Sequence, residues 1–207
     1  MPKLFLIRHG ESYYNKLNLF TGNLDIPLTD KGGNEPVELG RLLNNFRVDV
    51  AYTSCLSRAQ ETLHLILEHS GHQSMIVFNN AALNEHDYGK LSGKNKSEIE
   101  EKYGAKQLNL WGRSFTAMPP DGESLRETFH RVIPFFKKYI LRDLKQNKNV
   151  LIVAHVNSLQ ALIKELEGIS DIDIVNIEAG TGEFICYELD KSGSFFCVSG
   201  TYKKKHK

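Results

Sequence analysis

The chain has 207 residues, 41% of them hydrophobic, with 26 Lys and Arg against 25 Asp and Glu. That is enough apolar side chain for a proper core, and it excludes disordered, collagen-like and disulfide-scaffold classes. The balanced charge excludes a chain-wide basic field for nucleic acid or an anionic membrane surface. No apolar run approaches the length of a membrane span, and the stretch before Arg8 is too short for a signal peptide. Cys55, Cys186 and Cys197 form no CxxC pair, so a reduced, cytoplasmic setting is expected. One domain over residues 1–207 is expected, with the K-K-K-H-K of residues 203–207 as a frayed, solvated tail.

In chain order, residues 4–7 form a continuous apolar run that ends in Arg8, His9 and Gly10, which predicts a strand buried on both faces. Residues 48–53 give a second strand, leading into Ser54 and Arg58. Ser57 with Gln60 predicts a capped helix running to about Ser70, and Ser97 with Glu100 is a second capping-box candidate. The longest helical pattern starts near Glu123. Leu125, Phe129, Val132, Phe136, Ile140 and Leu144 form its apolar stripe, and Pro134 within it predicts a kink rather than two helices. Residues 150–154 repeat the buried-strand pattern and end in His155. A helix over 157–167 with Asn157 as its cap follows, then strands at 184–189 and 195–198 joined by Lys191, Ser192 and Gly193. Residues 112–123 are the one loop-like stretch. Buried strands that each end in reactive polar residues predict a doubly wound α/β sheet, whose ligands bind beyond the carboxyl ends of the strands.

Those polar residues suggest phosphoryl chemistry. A histidine with one free ring nitrogen is a nucleophile, and an adjacent arginine offers a fork of donors to phosphate oxygens. Gly10 allows the backbone to approach an anion closely. His9, His155, Arg8 and Arg58 all follow strands, as a site that positions and neutralises a phosphoryl group would require. The alternatives are a surface ion pair for Arg58, a structural hydrogen bond for His155 and a solvated loop carboxylate for Glu85. His64, His69 and His72 lack ligand spacing on one helix face, so no metal is expected. Trp111 is read as core, and Gly32-Gly33 is not a nucleotide loop.

An ordered set of longer motifs carries a resemblance. L-I-R-H-G-E-S, N-L-F-T-G-N-L-D-I-P-L-T-D-K-G, Y-T-S-C-L-S-R-A, L-N-E-H-D-Y-G-K-L-S-G-K-N-K, L-W-G-R-S-F and P-P-D-G-E-S-L run nearly the whole length. Together they resemble the cofactor-dependent phosphoglycerate mutases of the histidine phosphatase superfamily, in their short bacterial form. The resemblance implies a three-layer α/β/α fold with a mostly parallel central sheet. It implies interconversion of 3-phosphoglycerate and 2-phosphoglycerate, primed by 2,3-bisphosphoglycerate and without a metal. His9 would be the phosphohistidine nucleophile, Glu85 the proton donor and acceptor, and His155, Arg8 and Arg58 the groups stabilising the phosphoryl in transit. Ser12, Asn15, Thr21, Gly22, Tyr88, Lys96, Arg113 and Asn157 would bind substrate, with Lys96 and Arg113 holding its second acidic group. The implied partners are small phosphorylated three-carbon acids, and the family often forms homodimers or homotetramers. A phosphomonoesterase acting on another small phosphate is the alternative activity.

The chain departs from the family pattern at several places. Gly112 stands where the first arginine of L-W-R-R-S is usual, and E-R-H-Y becomes Glu85, His86, Asp87 and Tyr88. Val156 replaces the glycine of A-H-G-N-S, Asn23 replaces a common tryptophan, and Gly180 and Phe184 interrupt P-T-G-I-P. Each lost charge-assisted bond costs about 1.5–3 kcal/mol if its arginine met ligand. His86, when protonated, would restore part of that charge. Val156 would be strained if the family glycine is there for a positive φ. Weakened affinity for acidic substrate, with the phosphohistidine chemistry retained, is the expectation.

Overall fold

Leu4 to Ile7 lie within β1 (Lys3–Arg8), and all four side chains are buried, as the uninterrupted apolar run predicts. Five further strands complete the main sheet: β2 (Val50–Thr53), β3 (Val77–Asn79), β4 (Val150–Ala154), β6 (Phe184–Leu189) and β7 (Phe195–Ser199). The computed structural model describes residues 1–200 and 203–204; the side chains of Arg113, Glu178, Lys203 and Lys204 lie outside the described part. The strand order is β3-β2-β4-β1-β6-β7. The four strands from β3 to β1 are parallel, and β6 and β7 add an antiparallel edge, so the sheet is mixed.

Helices cover both faces. Phe5, Ile7, Ala51, Leu151 and Val153 pack on α2 (Asp30–Leu43) and α3 (Ser57–His69). Leu4, Leu6, Tyr52, Val150 and Ile152 face the opposite way, onto α6 (Leu125–Phe135) and α8 (Val156–Glu167). Alternate residues of one strand therefore feed two cores, the period-2 rule applied to a three-layer α/β/α fold. A third, small cluster of Phe20, Leu91, Ile99 and the buried Trp111 holds α4 (Lys96–Tyr103) and α5 (Ala105–Arg113) together.

Several local expectations need correction. The α3 helix has Leu56 at its N-cap with no side-chain cap bond; the Ser57 amide and hydroxyl instead donate to Asp25 from a distant loop. The α4 cap is Asn95, which accepts from Ser97 and Glu98 amides, not Ser97 with Glu100. The α8 helix starts one residue early, with His155 at its N-cap rather than Asn157. Past Pro134 the helical run is not split in two, as expected: it passes from α6 into a π turn (Phe136–Ile140) and on into α7 (Leu141–Lys145). Proline cannot donate to the carbonyl four residues back, and a wider turn re-registers the ladder. Lys203–Lys204 form β8, which pairs antiparallel with β5 (Ile177–Glu178), so this part of the expected frayed tail is ordered; 201, 202 and 205–207 lie outside the described residues.

Helix α2 is absent from the sequence reading because Gly32, Gly33, Pro36 and Gly40 obscure its apolar period. Those residues have packing reasons. A Cβ on Gly40 would come within 2.7 Å of the Ile66 carbonyl oxygen, and a Cβ on Gly32 within 2.1 Å of the Glu11 carbonyl. Pro36 has no N–H for the Gly32 carbonyl, the helical acceptor four residues earlier, and that oxygen lies 2.1 Å from where a Gly10 Cβ would stand. Gly10 thus serves close packing of the His9 loop onto α2 rather than approach to an anion. Among the described residues, no helix is long and apolar enough to cross a membrane.

Candidate active site

The pairings Arg8 with Ala154 and Thr53 with Val153 bring the carboxyl ends of β1, β4 and β2 level with one another. Arg8 and His9, then His155, then Ser54 and Arg58 leave those three ends side by side. Arg8, His9 and Arg58 border a cleft of about 330 Å³, lined on its other side by residues of the loops and helices between Asn15 and Gly112.

His9 is 2% exposed, and its backbone N–H bonds the Ala154 carbonyl. Its Nδ1 stands 2.7 Å from the Gly10 carbonyl oxygen, which accepts only if Nδ1 carries the proton. Nε2 therefore carries the lone pair. Burial, then Arg8, then Arg58 push the His9 pKa well below the ordinary histidine value, so the ring is neutral at pH 7. Arg58, completely buried, directs Nε to within 3.4 Å of that Nε2. Its Nη1 and Nη2 are fixed by the Leu24 and Gly22 carbonyls at 2.8 and 2.9 Å. Gly22 has φ +53. That turn shows the Arg58 guanidinium its carbonyl, so the reading of Arg58 as a surface ion pair is excluded. Arg8 donates through Nη1 to the Ala179 carbonyl.

The His155 ring lies 4.9 Å from the His9 ring, centroid to centroid. Its Nε2 is 2.8 Å from Ser54 Oγ, which itself accepts from the Leu56 amide. With the Ser54 hydroxyl hydrogen directed at Nε2, the proton resides on Nδ1, which is buried and has no hydrogen-bond partner among the described residues. Burial, then His9, then Arg58 and Arg8, hold His155 neutral as well. Ser54 is thus a positioning residue that sequence reasoning passes over, its only signal being its place directly after a buried strand.

Glu85 is 7% exposed. Oε1 accepts three N–H groups: His86 N at 2.8 Å, Asn157 Nδ2 at 3.1 Å and Asn157 N at 3.2 Å. The other carboxylate oxygen makes none of these bonds. Tyr88 also bonds Asn157, and burial pushes its hydroxyl up to about 12. Asn15, Thr21, Gly22, Tyr88, Lys96 and Asn157 all line the cleft, together with Leu108, Asn109, Gly112, Val156, Gln160 and Val175, which were not anticipated as lining. The Thr21 hydroxyl is buried without a hydrogen-bond partner among the described residues, and Lys96 Nζ lies 5.7 Å from the centre of the Phe20 ring. Ser12 does not line the cleft. Buried and bonded to Asn15 through both its hydroxyl and its amide, it caps α1 (Tyr13–Lys16) and sets the Asn15 side chain. The Arg113 side chain is outside the described residues.

Two departures acquire physical meaning here. His86 is 3% exposed, neither ring nitrogen has a hydrogen-bond partner among the described residues, and burial lowers its pKa. It stacks on Tyr88 at 4.7 Å and cannot replace a lost arginine charge. Asp87 turns away, accepting from the Gly89 amide and lining a separate cleft behind the Glu85 loop. Val156 is the first residue of α8 and is not among the positive-φ residues, so no strain follows from its side chain. Among the described residues, no group of three or more His, Cys, Asp or Glu is placed to hold a metal ion.

The family described as Histidine phosphatase superfamily (branch 1) matches residues 4–198. A 2,3-bisphosphoglycerate-dependent phosphoglycerate mutase of Cytophaga hutchinsonii is 48% identical, over 96% of this chain and 93% of its own. A phosphoglycerate mutase of Schizosaccharomyces pombe is 45% identical over 93% and 92%. Among solved structures, an alpha-ribazole phosphatase from Shigella flexneri superposes with a TM-score of 0.82 at 25% identity, covering 98% of this chain and 96% of that one.

Proposed function

The chain belongs to the histidine phosphatase superfamily, and on that premise we propose that it interconverts 3-phosphoglycerate and 2-phosphoglycerate through a phosphohistidine at His9. The observation that carries the chemistry is the committed His9 tautomer, with Nδ1 held by Gly10 and a neutral Nε2 facing the Arg58 guanidinium. Relatives 44–48% identical over most of the chain, named phosphoglycerate mutases, support this substrate.

Nε2 attacks phosphorus in line, the N–P bond forms, and the bond to the departing glycerate oxygen breaks. Arg8, Arg58 and the Nδ1–H of His155 stabilise charge on the phosphoryl oxygens as it passes. Glu85 gives its proton to the leaving alkoxide and, in the reverse half, takes one from the substrate hydroxyl as that oxygen attacks phosphorus and the N–P bond to His9 breaks. Both histidines stay neutral in the resting site, so neither repels the resident Arg8 and Arg58 or loses its lone pair to a proton. The donors bordering the cleft fit an acid with two phosphates: Arg8, Arg58, Lys96, Asn15 and the unpartnered Thr21 hydroxyl. When bound there, 2,3-bisphosphoglycerate supplies the phosphoryl group that loads His9.

A coupled assay with 3-phosphoglycerate, with and without 2,3-bisphosphoglycerate, tests the reading beside a His9→Ala control. Primer-dependent 2-phosphoglycerate that vanishes in the control is the expected result. Release of inorganic phosphate without 2-phosphoglycerate would replace the mutase with a phosphomonoesterase.

A further inference from the structure

Behind the Glu85 loop, away from the substrate cleft, lies a second polar cluster that the mechanism above does not use. Arg131 projects from α6 and pairs with Glu123 through two bonds, Nε to Oε1 at 2.7 Å and Nη2 to Oε2 at 2.9 Å. The same guanidinium donates through Nη1 to the Ala82 carbonyl at 2.8 Å and through Nη2 to the Glu85 carbonyl at 3.1 Å. Glu123 holds the other end of that segment: its amide donates to the Asp87 carbonyl at 2.8 Å, and its Oε2 accepts from the Asp87 amide at 3.3 Å. Glu123 immediately precedes Ser124, which caps α6 in a capping box with Glu127. Four backbone groups between residues 82 and 87 are therefore held by Arg131 within α6 and by Glu123 just ahead of its N-cap, behind the carboxyl group assigned to proton transfer.

We propose that Arg131 and Glu123 form a clamp that positions Glu85 for proton transfer without touching substrate. This rests on the reading of Glu85 as the acid and base. The guanidinium fork is required because three acceptors in different directions share one planar donor set, which an ammonium group on a flexible stem cannot reproduce. A displacement of the order of an ångström at a reacting group is worth about a hundredfold in rate.

The chemistry supplies a selective test. When His9 attacks a glycerate phosphate, the leaving alkoxide needs a proton from Glu85; when it attacks p-nitrophenyl phosphate, the nitrophenolate leaves as the anion. R131Q, R131K and E123Q are compared with wild type and E85Q on 3-phosphoglycerate plus primer and, with p-nitrophenyl phosphate, in the burst of nitrophenolate that accompanies phosphorylation of His9, ahead of the attack of water on the phosphohistidine; thermal unfolding is recorded for each. The clamp predicts that R131Q lowers kcat on the glycerate substrate by about 10- to 100-fold, with KM little changed and the rate of the nitrophenolate burst retained. R131K recovers only part of the loss, and E123Q, the milder change, reproduces the same selectivity. Equal loss on both substrates, or none, overturns the clamp. If E85Q itself shows no selective loss, the assignment of Glu85 fails, and the clamp with it.

Discussion

Restoring an arginine at position 112 is the perturbation whose outcome follows most directly from the geometry. Gly112 borders the cleft near the end of α5, and a Cβ built there meets nothing within 4 Å. Gly112→Arg therefore costs no packing. Replacing a glycine inside a helix gains about 0.8 kcal/mol, and a cation near a helix C-terminus adds about 0.3 kcal/mol more. For a chain of this size that is an increase in Tm of about 2–4 °C. If the new guanidinium reaches an acidic group of the substrate, one charge-assisted bond is worth about 1.5–3 kcal/mol, which is about a 10- to 150-fold fall in KM. Steady-state kinetics with 3-phosphoglycerate over a range of ionic strength, beside a thermal melt, measures both. A higher Tm with unchanged KM would show that position 112 does not overlie the bound acid. A lower Tm would refute the claim of open space.

The remaining predictions concern backbone and buried charge. Gly10→Ala places a Cβ 2.1 Å from the Gly32 carbonyl oxygen, so a loss of about 3 kcal/mol or more is expected in chemical denaturation; a neutral substitution would show that α2 does not pack as described. Val156→Gly lowers stability by about 0.5–1 kcal/mol, because Val156 already has helical backbone and there is no strain to relieve; a gain in stability would reveal strain. His9, His86 and His155 all have pKa values lowered by burial. Between the ordinary value near 6.5 and their lowered values the unfolded chain binds more protons than the folded one, so stability rises with pH there and is lost on acidification. Each of the three contributes a slope of up to about 1.4 kcal/mol per pH unit. His86→Phe should reduce the slope measured between pH 6.5 and 5 by one histidine's share; an unchanged slope would mean that His86 is protonated in the fold.

The elements legible in the sequence were those whose own residues dictate them. Runs such as residues 4–7 and 150–154 cannot be solvated, and they appear as central strands with reactive residues at their carboxyl ends. Helix α2 and edge strand β3 were not legible. Glycines and a proline that α2 uses for close backbone approach read locally as breakers, and a three-residue strand with every residue exposed has no burial pattern to announce it. The caps failed for a related reason, since the group that satisfies the start of α3 is Asp25, far away in the chain.

The same division holds at the site. Residue type, order and motif determined the chemistry: a histidine and arginine after one buried strand, a second histidine after another, and a carboxyl group in a named loop. What the charges and tautomers become was decided only by tertiary structure. Whether His86 is a cation or a buried neutral ring depends on its burial beside Tyr88, where neither ring nitrogen finds a hydrogen-bond partner among the described residues, and whether His9 presents Nε2 depends on where the Gly10 carbonyl stands. A side chain's ionisation and hydrogen-bonding state is set by the groups packed within a few ångströms of it, and those groups come from positions scattered along the whole chain.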